Sequence, residues 1–141
     1  MKADTDVWKL TSTAGPLGDS VYPRFLEPIP NVTVTIGRDA VLACVVENLR
    51  GYKVAWVRVD TQTILSIHHN VITQNPRISL SYNDHRSWYL HIKNVQEVDR
   101  GWYMCQINTD PMRSRKGYLQ VVGMLVFDQY VVNLIRSITT W

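Results

Sequence analysis

Four histidines and two cysteines are the side chains of this chain best suited to chemistry. Imidazoles gathered in space can hold a transition metal or pass protons, and His68, His69, His85 and His91 lie close together in sequence. His68 and His69, however, are adjacent in a run that reads as a strand, where neighbours point to opposite faces. No cysteine or carboxylate spacing completes a zinc set with them. They are read as surface or rim side chains, and no metal site is expected. Cys44 and Cys105 sit in AVLACVV and WYMCQI. In an oxidising compartment two such strands can be joined by a disulfide; in a reducing one the same residues can stay as buried thiols. Spacing alone does not decide between them. A phosphate-cradling glycine loop and a nucleophile elbow are both missing, so no catalytic residue, no enzyme activity and no cofactor are expected.

The elements that must position these groups read as strands. Short β-branched and aromatic runs alternate with turn residues, and no segment keeps a helical period for three turns. Strands are expected at Asn31–Ile36, Ala40–Val46, Val54–Asp60, Thr63–His68, Ile78–Tyr82, Ser87–Ile92, Gly101–Asn108 and Arg115–Val122, with one helical turn over Val95–Arg100. Turn-favouring residues such as Gly37, Gly51, Asn75-Pro76 and Asn83-Asp84 punctuate them. Residues 1–24 hold two glycines and two prolines and read as a flexible leader, 25–122 as the domain, and 123–141 as a tail that forms a short helix or no structure.

At 141 residues, with 45% hydrophobic and 19% charged, the chain suffices for one domain with a core. A net charge of +3 gives little reason for nucleic acid as a partner. The short basic stretch Arg113, Arg115, Lys116 is read as a solvated loop. With no run of about 20 apolar residues, membrane insertion by this chain is not expected, and the first residues do not read as a signal peptide.

The order Cys44, Trp56, Cys105 has a physical reason in a β-sandwich, where the cysteines face each other across two sheets and the indole packs against them. Asp99, Gly101, Tyr103 and Cys105 form D-x-G-x-Y-x-C. That places Tyr103 inward at a corner where its hydroxyl can reach upstream backbone. Arg77 stands where variable-type immunoglobulin domains pair an arginine with the aspartate at the Asp99 position, and two edge strands fit between Trp56 and Arg77. The fold class expected is all-β: an immunoglobulin-like sandwich of the variable type, with the Cys44–Cys105 pair as its inter-sheet disulfide.

With Trp56 inward, alternation turns Ala55, Val57 and Val59 outward. A hairpin at Thr61-Gln62 then sets Ile64, Ser66 and His68 beside them, and Met104, Gln106 and Asn108 face out from the next strand. By the same count Ile67 faces in. An apolar centre rimmed by Gln106, Asn108, His68 and Arg113 reads as an exposed protein interface.

Two strings, QTILSIHHNVITQNPRISL (Gln62 to Leu80) and GWYMCQINTDPM (Gly101 to Met112), resemble the first immunoglobulin domain of the Dpr-interacting proteins, insect neuronal surface receptors related to lachesin and the IgLON proteins. The resemblance implies a synaptic recognition module at the cell surface, binding the first domain of a Dpr partner, or a second copy of itself, through that sheet face. Val57, Ile64, Ile67, His68, Met104, Gln106, Asn108 and Met112 are the partner-binding positions so implied. Ile64→Asp is expected to abolish binding and leave the fold intact. Asn31-Val32-Thr33 is a glycosylation sequon, meaningful in a secreted chain. Family members carry a signal peptide, three immunoglobulin domains and usually an anchor, so a truncated form is expected here; the alternative is a soluble truncated isoform that acts as a decoy or lacks function.

Overall fold

A computed structural model describes residues 22–123. The readings of residues 1–21 as leader and 124–141 as tail lie outside the described residues. Ten strands form among the described residues: β1 (Arg24–Phe25), β2 (Val32–Thr35), β3 (Ala40–Glu47), β4 (Val54–Arg58), β5 (Thr63–Ile67), β6 (Asn70–Val71), β7 (Ile78–Asn83), β8 (Ser87–Ile92), β9 (Gly101–Ile107) and β10 (Arg113–Val122). One 3-10 turn, Glu97–Asp99, falls inside the helical turn read from the sequence. The two-residue strands β1 and β6 are additions to that reading, being too short to carry a period.

The strands make two sheets, β1-β3-β8-β7 and β2-β10-β9-β4-β5-β6. All pairings are antiparallel except β2 with β10, which is parallel. The chain between β1 and β2 crosses from one sheet to the other, so its first strands close an edge of each.

Strand alternation builds the core. In β3 and β8 every second residue is buried: Ala40, Leu42, Cys44 and Val46 from one, Trp88, Leu90 and Ile92 from the other. Cys44 and Cys105 form a disulfide between the sheets, with Cα atoms 6.4 Å apart. Trp56 lies in register with Cys105, and Trp88 in register with Cys44, so an indole from each sheet flanks the bridge. Trp88 was not picked out from the sequence, although the W-x-L-x-I spacing of β8 carries the signal.

At the sandwich corner the Tyr103 hydroxyl donates to the Asp99 carbonyl at 2.6 Å. Burial pushes the Tyr103 pKa up to about 12, so the hydroxyl stays a donor. Arg77 grips Asp99 with two bonds, Nη1 to Oδ2 at 2.6 Å and Nη2 to Oδ1 at 2.9 Å. Burial alone would raise the Asp99 carboxyl; Arg77 and the Gln96 amide outweigh it and hold the group below its usual range. Gly101 has φ +142°, a conformation L side chains rarely adopt, which accounts for the glycine in this motif.

The basic stretch is not a loop. Arg113, Arg115 and Lys116 belong to β10, and their long side chains lie over aromatic rings: Arg113 over Tyr22, Arg115 over Phe25 and Lys116 over Trp102. Arg113 also donates to the Pro23 carbonyl at 2.7 Å, which fastens the segment leading into β1.

Candidate functional site

β4 is buried on both faces, with Val54, Ala55, Trp56 and Val57 all inaccessible. Trp56 enters the sandwich core, whereas Ala55 and Val57 join Ile64 in a second cluster on the outer side of the six-stranded sheet. Ile67, Ile72, Met104 and Met112 pack against this cluster and are themselves partly exposed. Val57 and Ile64 were expected on an open surface; at 2% and 1% exposure they form the floor of the cluster instead. Ile64→Asp would therefore bury a carboxylate among aliphatic groups, and the expectation that it spares the fold is withdrawn.

A recess of ≈ 190 Å³ opens on this face, lined by Val57, Val59, Gln62, Met104 and Gln106. The Gln106 amide points Nε2 at the Met104 sulfur, 3.8 Å away, and its Oε1 is buried with no hydrogen-bond partner. Asn108 is not a rim residue. It is 1% exposed, and its Oδ1 accepts from the Lys53 amide at 2.6 Å, tying the end of β9 to the start of β4.

The outward and inward assignments on β5 exchange partway along it. Val57 pairs with Ile64, but Trp56 pairs with Ser66, so Leu65 is an extra residue in the ladder. A β-bulge of this kind reverses the alternation beyond it. Leu65 faces the sandwich core and Ile67 joins the outer cluster, where alternation had put Ile67 inward. His68 is turned the other way, its ring 4.8 Å from that of Trp88.

His68 and His69 do not point to opposite faces. His68 has φ 52°, which ends the strand geometry on which that expectation rested. The two rings are 4.2 Å apart, and His85, from the turn between β7 and β8, lies 5.7 Å and 5.4 Å from them. Burial first, then the proximity of His69, His85 and Lys53, lowers the His68 pKa to about 4. His91 stands apart, with Nε2 2.7 Å from the Ser81 hydroxyl. Asn31, of the sequon, is exposed, and its Oδ1 accepts from the Tyr118 amide at 2.9 Å. Among the described residues no helix is long and apolar enough to cross a membrane.

The fold is similar to that of solved immunoglobulin domains. A chain of the crystal structure of Dpr1 IG1 bound to DIP-eta IG1 is 57% identical, with a TM-score of 0.72 over 74% of this chain and 100% of that one. The crystal structure of DIP-gamma IG1+IG2 is similar at 46% identity, with a TM-score of 0.70 over 72% of this chain and 49% of that one. Lachesin of Schistocerca americana is 35% identical over 78 residues, 51% of this chain and 22% of the relative, so the chain spans under a quarter of that relative's length. The resemblance to Dpr-interacting proteins read from Gln62–Leu80 and Gly101–Met112 is borne out by these likenesses. Residues 23–117 match the immunoglobulin I-set domain model, and the chain belongs to that family.

Proposed function

We propose that this chain is an extracellular recognition module that binds immunoglobulin domains of the Dpr type through the outer face of the six-stranded sheet. The observation that carries the reading is the second apolar cluster, Ala55, Val57 and Ile64 under Met104, Met112 and Ile67, built outside a sandwich core that is already complete. A domain has no need of such a cluster for its own interior, whereas an apolar centre beside hydrogen-bonding groups is the composition of a protein interface. Two further observations support it. The recess beside Met104 holds the unpartnered Gln106 Oε1, which a donor from a partner would satisfy. A chain 57% identical to this one comes from a complex of two such domains. No observation favours the decoy reading.

The methionines suit this role because an unbranched, polarisable side chain can repack against different partners. The test is surface plasmon resonance of the full chain against a panel of Dpr first domains, with Met104→Lys alongside. Binding to one or more members, weakened about tenfold or more in the variant at unchanged circular dichroism, is the expected result. No binding to any member, or full binding by a folded Met104→Lys protein, would overturn the assignment. Sedimentation of the chain alone reads whether the same face pairs with a second copy.

A further inference from the structure

The histidine group lies at the opposite end of β5 from the Thr61-Gln62 hairpin and takes no part in the apolar face. We propose that His68, His69 and His85 form a binding site for one divalent transition-metal ion, zinc or copper(II), between the turn that joins β5 to β6 and the turn that joins β7 to β8. One ring nitrogen from each residue lies within 4.8 Å of the others. Tetrahedral zinc with Zn–N bonds of about 2.05 Å sets its nitrogens about 3.4 Å apart. Closing on an ion thus asks for movements of about 1.4 Å or less, within reach of χ rotation by two exposed side chains, His69 and His85.

Backbone and environment both prepare the group. His68, Asp84 and His85 all have φ 52°, and these left-handed residues turn the imidazoles from two hairpins toward one point. The Nδ1 of His68 is buried and makes no hydrogen bond. An unpaired ring nitrogen is costly without a ligand and is satisfied by a metal. Tyr82 and Trp88 wall the site, 4.2 Å from the His69 ring and 4.8 Å from the His68 ring respectively. Three imidazoles and no carboxylate select a borderline ion over calcium or magnesium. The Lys53 charge near His68 opposes a cation, so binding is weaker than at a structural four-ligand site.

The ion would join elements of different sheets, since β5 and β6 belong to one and β7 and β8 to the other. Isothermal titration of zinc chloride into the full chain, free of any histidine tag, tests the assignment. One zinc per chain is expected, with affinity reduced about tenfold or more in His69→Ala and in His85→Asn. His91→Ala keeps the wild-type affinity. In the NMR spectrum zinc moves the ring resonances of His68, His69 and His85 and leaves that of His91 in place. Absence of zinc binding by the folded chain, or binding that persists unchanged in the His69→Ala, His85→Asn double variant, overturns the proposal.

Discussion

The two sides of β4 carry apolar clusters of different kinds. Inward, Trp56 and Trp88 flank a covalent bridge, and the surrounding Leu42, Leu90, Ile92, Ile107 and Leu119 are fully buried. Outward, a floor of Ala55, Val57 and Ile64 is covered by methionines and isoleucines that remain partly exposed, beside an open recess. A core of fully buried branched and aromatic residues specifies one arrangement, whereas a thioether layer tolerates several. The difference separates the part of the sheet that holds the fold from the part suited to meeting a partner.

That separation can be broken by mutation in a graded way. Replacing both Cys44 and Cys105 by alanine strikes the inner side; the bridge spans 61 residues, and its loss should lower unfolding free energy by about 4 kcal/mol in the chain-entropy model. Urea denaturation measures this, and a loss below about 1 kcal/mol would mean that packing of the two indoles, not the bridge, pins the sheets. Ile64→Asp comes next, at about 3 kcal/mol, because it leaves a charge in the floor of the outer cluster. If its melting temperature matched the wild type, the floor would be open surface after all. Tyr103→Phe should cost about 1 to 2 kcal/mol by leaving the buried Asp99 carbonyl unpaired, with partner affinity unchanged because the residue faces inward.

Acid probes the histidine end. His68 has a folded pKa near 4, below its ordinary 6.5, so the unfolded chain binds the proton more readily. The neutral imidazole's contribution is intact above pH 6.5 and is lost as pH falls from 6.5 toward 4, by roughly 1 kcal/mol once solvent screening of a half-buried group is allowed for. Between pH 6.5 and 4 the melting temperature of the wild type should fall relative to that of His68→Gln; parallel curves would contradict the lowered pKa.

How much of this was legible in the sequence depended on whether strict alternation held. From Gly101 to Ile107 it holds, and Tyr103 and Cys105 were placed inward and Met104 and Gln106 outward from type and parity alone. The same counting failed on β5 for a local reason. The extra Leu65 in the ladder shifts parity by one, which moved Ile67 out and His68 in. Neither Leu65 nor its neighbours carry a glycine or proline that would announce a bulge. The gathering of His68, His69 and His85 was invisible for a related reason, since it depends on positive φ at residues other than glycine. The Asn108 contact escaped because an amide at a strand end reads equally well as a rim donor or as a cap for a neighbouring backbone.

The parallel pairing of β2 with β10 has a mechanical consequence. Leu119, Gln120, Val121 and Val122 run beside Val32, Thr33, Val34 and Thr35 in the same direction. Tension that enters through the chain ahead of β2 and leaves through the end of β10 pulls these two strands past each other along their length. Their hydrogen bonds then stretch together in shear instead of opening one after another like a zip.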